Sequence, residues 1–167
     1  MKTYPIQEKE KIEQILKSEQ ICYVGFADEE GIPYVLPMNY GYENGFIYLH
    51  SGPEGKAIQI LNINPNVCIT FCTQPKLIWQ HPDVACSYRM QSESVVCNGK
   101  VIFEENFEEK VKILNIIMRQ YSDKDFKYSV PAINNVKIWK VAIDTISAKE
   151  YGVRHPNSAM YKDRESF

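Results

Sequence analysis

The 167-residue chain lacks the features that mark several large classes of protein. It has no apolar run near the roughly 20 residues that a membrane-spanning helix needs, and its first residues lack the apolar stretch of a signal peptide. Its net charge of −2 and pI near 6.0 provide no basic excess that would attract nucleic acid. We therefore expect a cytoplasmic protein with neither a nucleic-acid nor a membrane partner.

Closely paired cysteines are also absent, because no Cys-x-x-Cys motif occurs. The five cysteines are an odd number and most fall in apparent strands: Cys22, Cys68, Cys72, Cys86 and Cys97. This scatter is typical neither of a disulfide framework nor of a zinc site. We predict reduced thiols and no metal site.

The glycine motifs of Rossmann and P-loop phosphate sites are missing, but another glycine-punctuated segment is present at residues 33–56. Asn44-Gly45 favours a two-residue hairpin turn between strands 34–42 and 46–50. Ser51, Gly55 and Lys56 follow directly, just before a helical stretch. A hydroxyl, an ammonium group and the free N–H groups of a helix start therefore converge, which predicts an anion site suited to phosphate.

The rest of the chain indicates one mainly β domain at residues 1–150 and a tail at residues 151–167. Strands are predicted at residues 21–27, 33–42, 46–50, 67–73, 92–103 and 136–146. Helices are predicted at residues 6–18, 55–62 and 106–121, with Asn106 as N-cap, and loops at residues 75–89 and 124–135. Strands in hairpin succession favour an antiparallel barrel over a doubly wound sheet.

Four segments, in this order, resemble the FMN-binding split barrels related to pyridoxamine 5′-phosphate oxidase, and most of all their nitroimidazole-resistance branch. The segments are PYVLPMNY (33–40), GFIYLHSGPEGK (45–56), NPNVCITF (64–71) and SESVVCNGK (92–100). The likeness extends over residues 12–149. It implies a six-stranded antiparallel split β-barrel that forms a homodimer, with FMN in each of two clefts at the subunit interface.

The resemblance also implies which residues contact FMN. Those expected along the isoalloxazine ring are Pro37, Met38, Asn39 and Tyr40. Those expected at the phosphate are His50, Ser51 and Lys56, beside Gly55. Those expected on a neighbouring strand against the flavin are Glu93, Ser94 and Val95. His50 is the candidate catalytic residue.

Each assignment has a structural alternative. Lys56 fits a solvated surface lysine, His50 a structural histidine at a strand end, and Asn39 a residue whose amide makes a cross-strand or turn hydrogen bond. The aromatic residues Trp79, Tyr88 and Trp139 fit either core packing or contact with the cofactor. The loop at residues 76–90 fits either a lid over the ligand or a dimer contact.

These residues favour an FMN-dependent oxidoreductase that uses NAD(P)H-derived electrons to reduce a nitroimidazole, another nitroaromatic compound or a quinone. The alternatives are a non-catalytic carrier of flavin or of a haem-type tetrapyrrole, and a structural barrel with an empty cleft. Arg154, His155 and Arg164 do not reproduce the arginine-bearing C-terminal segment of pyridoxamine phosphate oxidases. This departure argues against vitamin B6 oxidation.

Overall fold

The computed structural model describes residues 3–153. Over these residues the chain forms nine strands and four α-helices. Their order is β1 (Thr3–Ile6), α1 (Lys9–Ser18), β2 (Cys22–Ala27), β3 (Pro33–Met38), β4 (Tyr40–Glu43), β5 (Phe46–Ser51), α2 (Lys56–Ile63), β6 (Asn66–Cys72), β7 (Lys76–Ile78), β8 (Arg89–Glu104), α3 (Phe107–Arg119), α4 (Val130–Asn134) and β9 (Lys137–Tyr151).

The main sheet is antiparallel and runs in the order β3-β2-β6-β8-β9-β5-β4. Its two end strands are consecutive in the chain and are separated only by Asn39. The path therefore returns to its start, and β3 and β4 together act as one bent strand in a barrel of six. The predicted mainly β, six-stranded split barrel is confirmed.

The tight turn between β4 and β5 follows from Asn44-Gly45. Both residues have positive φ, 51° and 79°, as a two-residue hairpin of this hand requires. Glu43 pairs with Phe46 across the turn, so the predicted hairpin is confirmed with its register.

The barrel core forms because inward positions alternate along each strand. Cys22, Val24 and Phe26 point inward from β2, and the largest fully buried side chain is Trp139 of β9. Helix α3 packs on the outside, through a second cluster that contains Tyr48 and Ile117.

The position of α3 depends on Gly41. A Cβ at Gly41 would lie 2.8 Å from the Cα and N atoms of Ile117, so only glycine allows β4 to approach the helix this closely.

Several predicted boundaries are wrong. The strand predicted at residues 33–42 breaks at Asn39, and residues 3–6 form β1, whereas a helix was predicted to begin at residue 6. Strand β1 pairs with β9 at the opposite end of the chain, and local patterns do not reveal such a partner.

The two predicted loops also contain regular structure. The loop at residues 75–89 includes β7, which pairs with β8, and a 3₁₀ turn at Ala85–Ser87. The loop at residues 124–135 includes α4, with Ser129 as N-cap and proline in its first turn. Asn106 does cap α3, accepting a hydrogen bond from the N–H of Glu109.

The predicted closing strand is longer than expected, because β9 continues to Tyr151. Of the predicted tail, residues 154–167 lie outside the described residues. Within residues 3–153 no helix is both long and apolar enough to cross a membrane, and no three His, Cys, Asp or Glu side chains come together in a way that could bind a metal ion.

Candidate functional site

The segment from β5 to α2 contains the candidate anion site that the sequence predicts. Gly55 has φ of +135°, a conformation that strains any residue with a side chain. Helix α2 begins directly after it, with no side-chain N-cap and no acidic residue in its first turn. The first N–H groups of α2 are therefore available to an anion, and the helix dipole favours negative charge there.

Lys56, the first residue of α2, adds a positive charge to this helix start. Its Nζ lies over the ring of Tyr34 in β3, 4.8 Å from the ring centre. Within residues 3–153 no carboxylate forms an ion pair with it. The ammonium group is exposed and able to bind an anionic ligand.

Ser51 is positioned by the barrel core. Its Oγ accepts a hydrogen bond from Nε1 of the buried Trp139, at 3.0 Å, and donates one to the carbonyl of Gly52, at 2.8 Å. A phosphate oxygen can only accept a hydrogen bond from this hydroxyl, so binding requires the O–H to turn away from Gly52.

Aromatic contacts connect Ser51 with Lys56. Trp139 packs edge-on against Phe26, with 6.3 Å between ring centres, and Phe26 packs in the same way against Tyr34, at 5.5 Å. Tyr34 in turn lies below Lys56. The sequence analysis missed Tyr34 and Phe26. The usable signal was strand alternation, which places Tyr34 on the same side of β3 as Leu36 and Met38.

His50 lies on the other side of β5. The preceding Leu49 and the following Ser51 face the barrel interior, whereas the His50 side chain is exposed. Although more than a third of its surface reaches solvent, the protein around the ring desolvates it and lowers the pKa of His50 below the ordinary 6.5. The imidazole is therefore mainly neutral at neutral pH and carries a single N–H donor.

Strand β3 borders the site with an open edge. It pairs with β2 on one side, and no strand among residues 3–153 pairs with its other side. Pro37 and Asn39 are exposed and Met38 is half-buried at the end of β3. The unpaired backbone groups of this edge are suited to bind the polar rim of a planar ligand.

Asn39 and Tyr40 also have structural partners. The Asn39 amide donates to the carbonyl of Gln20, which precedes β2, at 3.4 Å, in agreement with the alternative of a cross-strand hydrogen bond. Tyr40 belongs to the segment expected along the ring, but its side chain lies in the core, where the hydroxyl donates to the carbonyls of Leu16 and Glu19. Burial raises the pKa of Tyr40 far above its ordinary value. Tyr40 thus contributes no accessible side chain to the site.

The three residues of β8 lie apart from the anion site within one chain. Glu93 forms an ion pair with Lys11 at 2.7 Å, the Ser94 hydroxyl lies 3.1 Å from the hydroxyl of Tyr151, and Val95 is fully buried. Strands β2 and β6 separate β8 from β3. At a strand spacing of about 4.8 Å, the three β8 residues therefore lie about 14 Å from β3.

Comparison with known proteins identifies the family. A sequence profile of pyridoxamine 5′-phosphate oxidase matches residues 8–150. The chain belongs to this family. A solved structure of a candidate 5-nitroimidazole antibiotic resistance protein from Bacteroides thetaiotaomicron is 53% identical to this family member, with a TM-score of 0.82, and the alignment covers 89% of this chain and 87% of that one. The predicted relationship to the nitroimidazole-resistance branch is confirmed.

Two more distant structures share the fold of this pyridoxamine 5′-phosphate oxidase family member. A flavocytochrome from Azotobacter vinelandii is 19% identical, with a TM-score of 0.74 over 90% of this chain and 69% of that one. A FAD and haem binding protein from Mycobacterium smegmatis is 12% identical, with a TM-score of 0.76 over 87% and 72%. A search of curated proteins found no match. Arg154, His155 and Arg164 lie outside the described residues.

Proposed function

We propose that the protein binds FMN at a homodimer interface and uses NAD(P)H-derived electrons to reduce a small, electron-poor acceptor such as a nitroimidazole, another nitroaromatic compound or a quinone. The observation that carries this proposal is the anion site at the start of α2, beside the open edge of β3. The 53% identical relative named for 5-nitroimidazole resistance supports the choice of acceptor.

The residues of the site fit the two polar ends of FMN. Lys56 and the first N–H groups of α2 suit a phosphate dianion, because the cation, the helix dipole and the donors act in the same direction. The unpaired edge of β3 near Pro37 and Met38 suits the polar rim of the isoalloxazine ring. When bound, FMN supplies the redox chemistry.

The remaining contribution of the protein is orientation and exclusion of water. The hydrogen bond from Trp139 holds the Ser51 oxygen in place. The hydroxyl hydrogen can therefore turn toward the ligand without movement of the backbone. His50, exposed and mainly neutral at rest, can take up a proton from solvent on its unprotonated ring nitrogen and relay it to an acceptor bound near the outer side of β5. We propose His50 for this proton transfer and not for the phosphate, since it lies on the face of β5 opposite Ser51.

A homodimer is supported by an uncharged surface, which we call the ladder face. It consists of two rows of outward side chains that cross β3, β2, β6, β8 and β9 in register. The rows are Pro37, Tyr23, Thr70, Val96 and Ser147, and Val35, Gly25, Cys68, Asn98 and Thr145. Nine of these positions have uncharged side chains and the tenth is a glycine, and a contiguous surface without charge favours a contact with another protein surface.

The exposure of this face also fits a second copy. Tyr23 is 50% and Val35 59% exposed, and a shallow groove of about 480 Å³ crosses the second row beside Gly25 and Cys68. Pairing through this face would place β8 of one copy near β3 of the other. Glu93 and Ser94 would then approach a flavin whose phosphate is bound by Lys56 of the second copy.

The first experiment measures flavin directly. Purified protein is expected to show visible flavin absorption, or to take up added FMN, and to sediment as a dimer. Lys56→Ala should weaken FMN binding by about tenfold to a hundredfold, because a charge-assisted hydrogen bond contributes about 1.5–3 kcal/mol. Lys127→Ala, which removes an exposed lysine from the loop before α4, should leave it unchanged. Protein without flavin that takes up no FMN would refute the proposal.

The second experiment separates an enzyme from a carrier. FMN-loaded protein, NADH or NADPH and 2-methyl-5-nitroimidazole are mixed under anaerobic conditions, and loss of the nitro compound is followed. Reduction faster than with free FMN supports the oxidoreductase. A rate equal to that of free FMN would favour the non-catalytic flavin carrier, and uptake of haem in place of FMN would favour a tetrapyrrole carrier.

A further inference from the structure

Residues 76–91 form a hairpin arm outside the barrel. Strand β7 pairs with the first residues of β8, in a small sheet separate from the main one. The arm exposes five large apolar side chains, each at least 36% accessible: Leu77, Trp79, Val84, Tyr88 and Met90. Such a concentration of exposed apolar surface marks an interaction site.

The tip of the arm has a defined shape. Trp79 and Tyr88 stack with ring centres 5.4 Å apart and an interplanar angle of 18°. The Tyr88 hydroxyl donates to the carbonyl of Pro82 at 2.7 Å, and the Ser87 hydroxyl donates to the carbonyl of His81 at 2.7 Å. Because the two rings are stacked, each supports the other, and the pair presents an outer ring face that a flat ligand can stack on.

Area and continuity indicate a second copy of the chain as the occupant. Five strands and two rows give the ladder face about 330 Å², whereas a standard interface buries about 800 Å² on each partner. The ladder face alone is too small. The arm adds about 250 Å² of mainly apolar surface, from about eight residues of length and about 10 Å of width. The combined area of about 580 Å² on each partner comes close to the roughly 600 Å² at the lower end of specific interfaces. Strand β8 belongs to both surfaces, so they form one continuous patch.

The direction of the two-fold axis decides where the arm of a second copy would lie. We take the axis to be parallel to β6, the middle strand of the ladder face, which sets β8 of one copy opposite β2 of the other. The arm extends from the end of β8 that pairs with Cys72, and Met38 lies at the corresponding end of β3. The arm of one copy therefore projects beyond the Met38 end of the other.

We propose that the arm docks in trans on a second copy and that its Trp79–Tyr88 pair forms the outer wall of the acceptor site there. This role rests on the proposed function. An electron-poor aromatic ring stacks well on Trp and Tyr, so the arm favours flat aromatic acceptors over aliphatic ones of the same size. The site is then incomplete in a single chain.

The test uses mixed dimers. An anchor variant, Lys56→Ala, and an arm variant, Trp79→Ala with Tyr88→Ala, are coexpressed with different affinity tags and purified through both. Flavin content, binding of 2-methyl-5-nitroimidazole and its reduction are compared with those of each homodimer. Phe126→Ala serves as a control, because it removes an exposed aromatic ring distant from the arm in sequence.

We expect the arm-variant homodimer to keep its flavin but to bind the nitroimidazole about tenfold more weakly. In the mixed dimer, the copy with intact Lys56 receives the intact arm of its neighbour. The mixed dimer should therefore contain half the wild-type amount of flavin, bind the nitroimidazole with wild-type affinity and show half the wild-type activity.

Two results would overturn the trans arm while leaving flavin binding itself intact. One is a mixed dimer that contains flavin but binds the nitroimidazole as weakly as the arm variant, since the arm would then act on its own chain. The other is a flavin-containing wild-type monomer in sedimentation. Wild-type protein that binds neither FMN nor the nitroimidazole would overturn both proposals. The absence of flavin distinguishes this outcome from the other two, in which the protein contains flavin.

Discussion

The substitution Tyr121→Phe tests how the break between β3 and β4 is maintained. The Tyr121 hydroxyl accepts a hydrogen bond from the N–H of Tyr40 at 2.8 Å and donates one to the carbonyl of Gln20 at 2.8 Å. At this break the N–H of Tyr40, at the start of β4, donates to the side chain of Tyr121, which follows α3. Phenylalanine keeps the ring and removes only these two hydrogen bonds.

The expected loss of stability is about 2 kcal/mol. A buried N–H without a partner costs about 1–3 kcal/mol, whereas the carbonyl of Gln20 lies in an exposed contact that water can replace. In a domain of this size about 2 kcal/mol lowers the melting temperature by about 4–8 °C.

Thermal unfolding of flavin-free protein, followed by circular dichroism, measures this change. Tyr128→Phe is the matched control, because its hydroxyl makes a single hydrogen bond, to the side chain of Asn115. We expect the control to change stability by less than about 1 kcal/mol. Equal melting temperatures for Tyr121→Phe and wild type would refute the role given to this hydroxyl.

Three further predictions concern packing, thiol chemistry and pH. Gly41→Ala should destabilise the fold by about 2 kcal/mol or more in urea unfolding, because its Cβ meets the backbone of Ile117 at 2.8 Å; Gly25→Ala, with contacts of 3.5 Å or longer, is its control. A thiol reagent should label Cys86 in native protein but not Cys22 or Cys97, since burial raises the pKa of both to about 12; equal labelling rates would contradict their burial. Because the folded-state pKa of His50 is lowered, wild type should lose stability as the pH falls through 6.5, and His50→Gln should lose less; parallel pH profiles of the two proteins would contradict the desolvation of His50.

Features that depend on neighbouring residues were predictable from the sequence. Asn44-Gly45 specifies its turn through backbone conformation alone, and Asn106 caps α3 through a bond to a residue three positions later. The predicted helix start after Gly55 has the same origin, and the candidate anion site depends on it, because Gly55 and Lys56 are adjacent in the chain.

Features that depend on distant residues were not predictable. The break at Asn39 depends on Tyr121, some 80 positions later, and no local pattern announces such a partner. Tyr40 illustrates the same limit: its place in a motif suggested ligand contact, whereas its hydroxyl lies within reach of two carbonyls at the end of α1. The separation of Glu93 from Lys56 is a property of strand order, which the strand list alone does not provide.

The position of β9 has a consequence for how the protein is made. One edge of β9 pairs along its whole length with β8, while the other edge pairs first with β5 and then with β1. Thr3, near the start of the chain, thus faces Tyr151, and contacts this far apart in sequence are slow to form. During synthesis on the ribosome the barrel stays open until residues 137–151 have emerged. Until then β5 and β8 expose edges that can pair with other chains, so synthesis is the stage at which this protein is most exposed to aggregation.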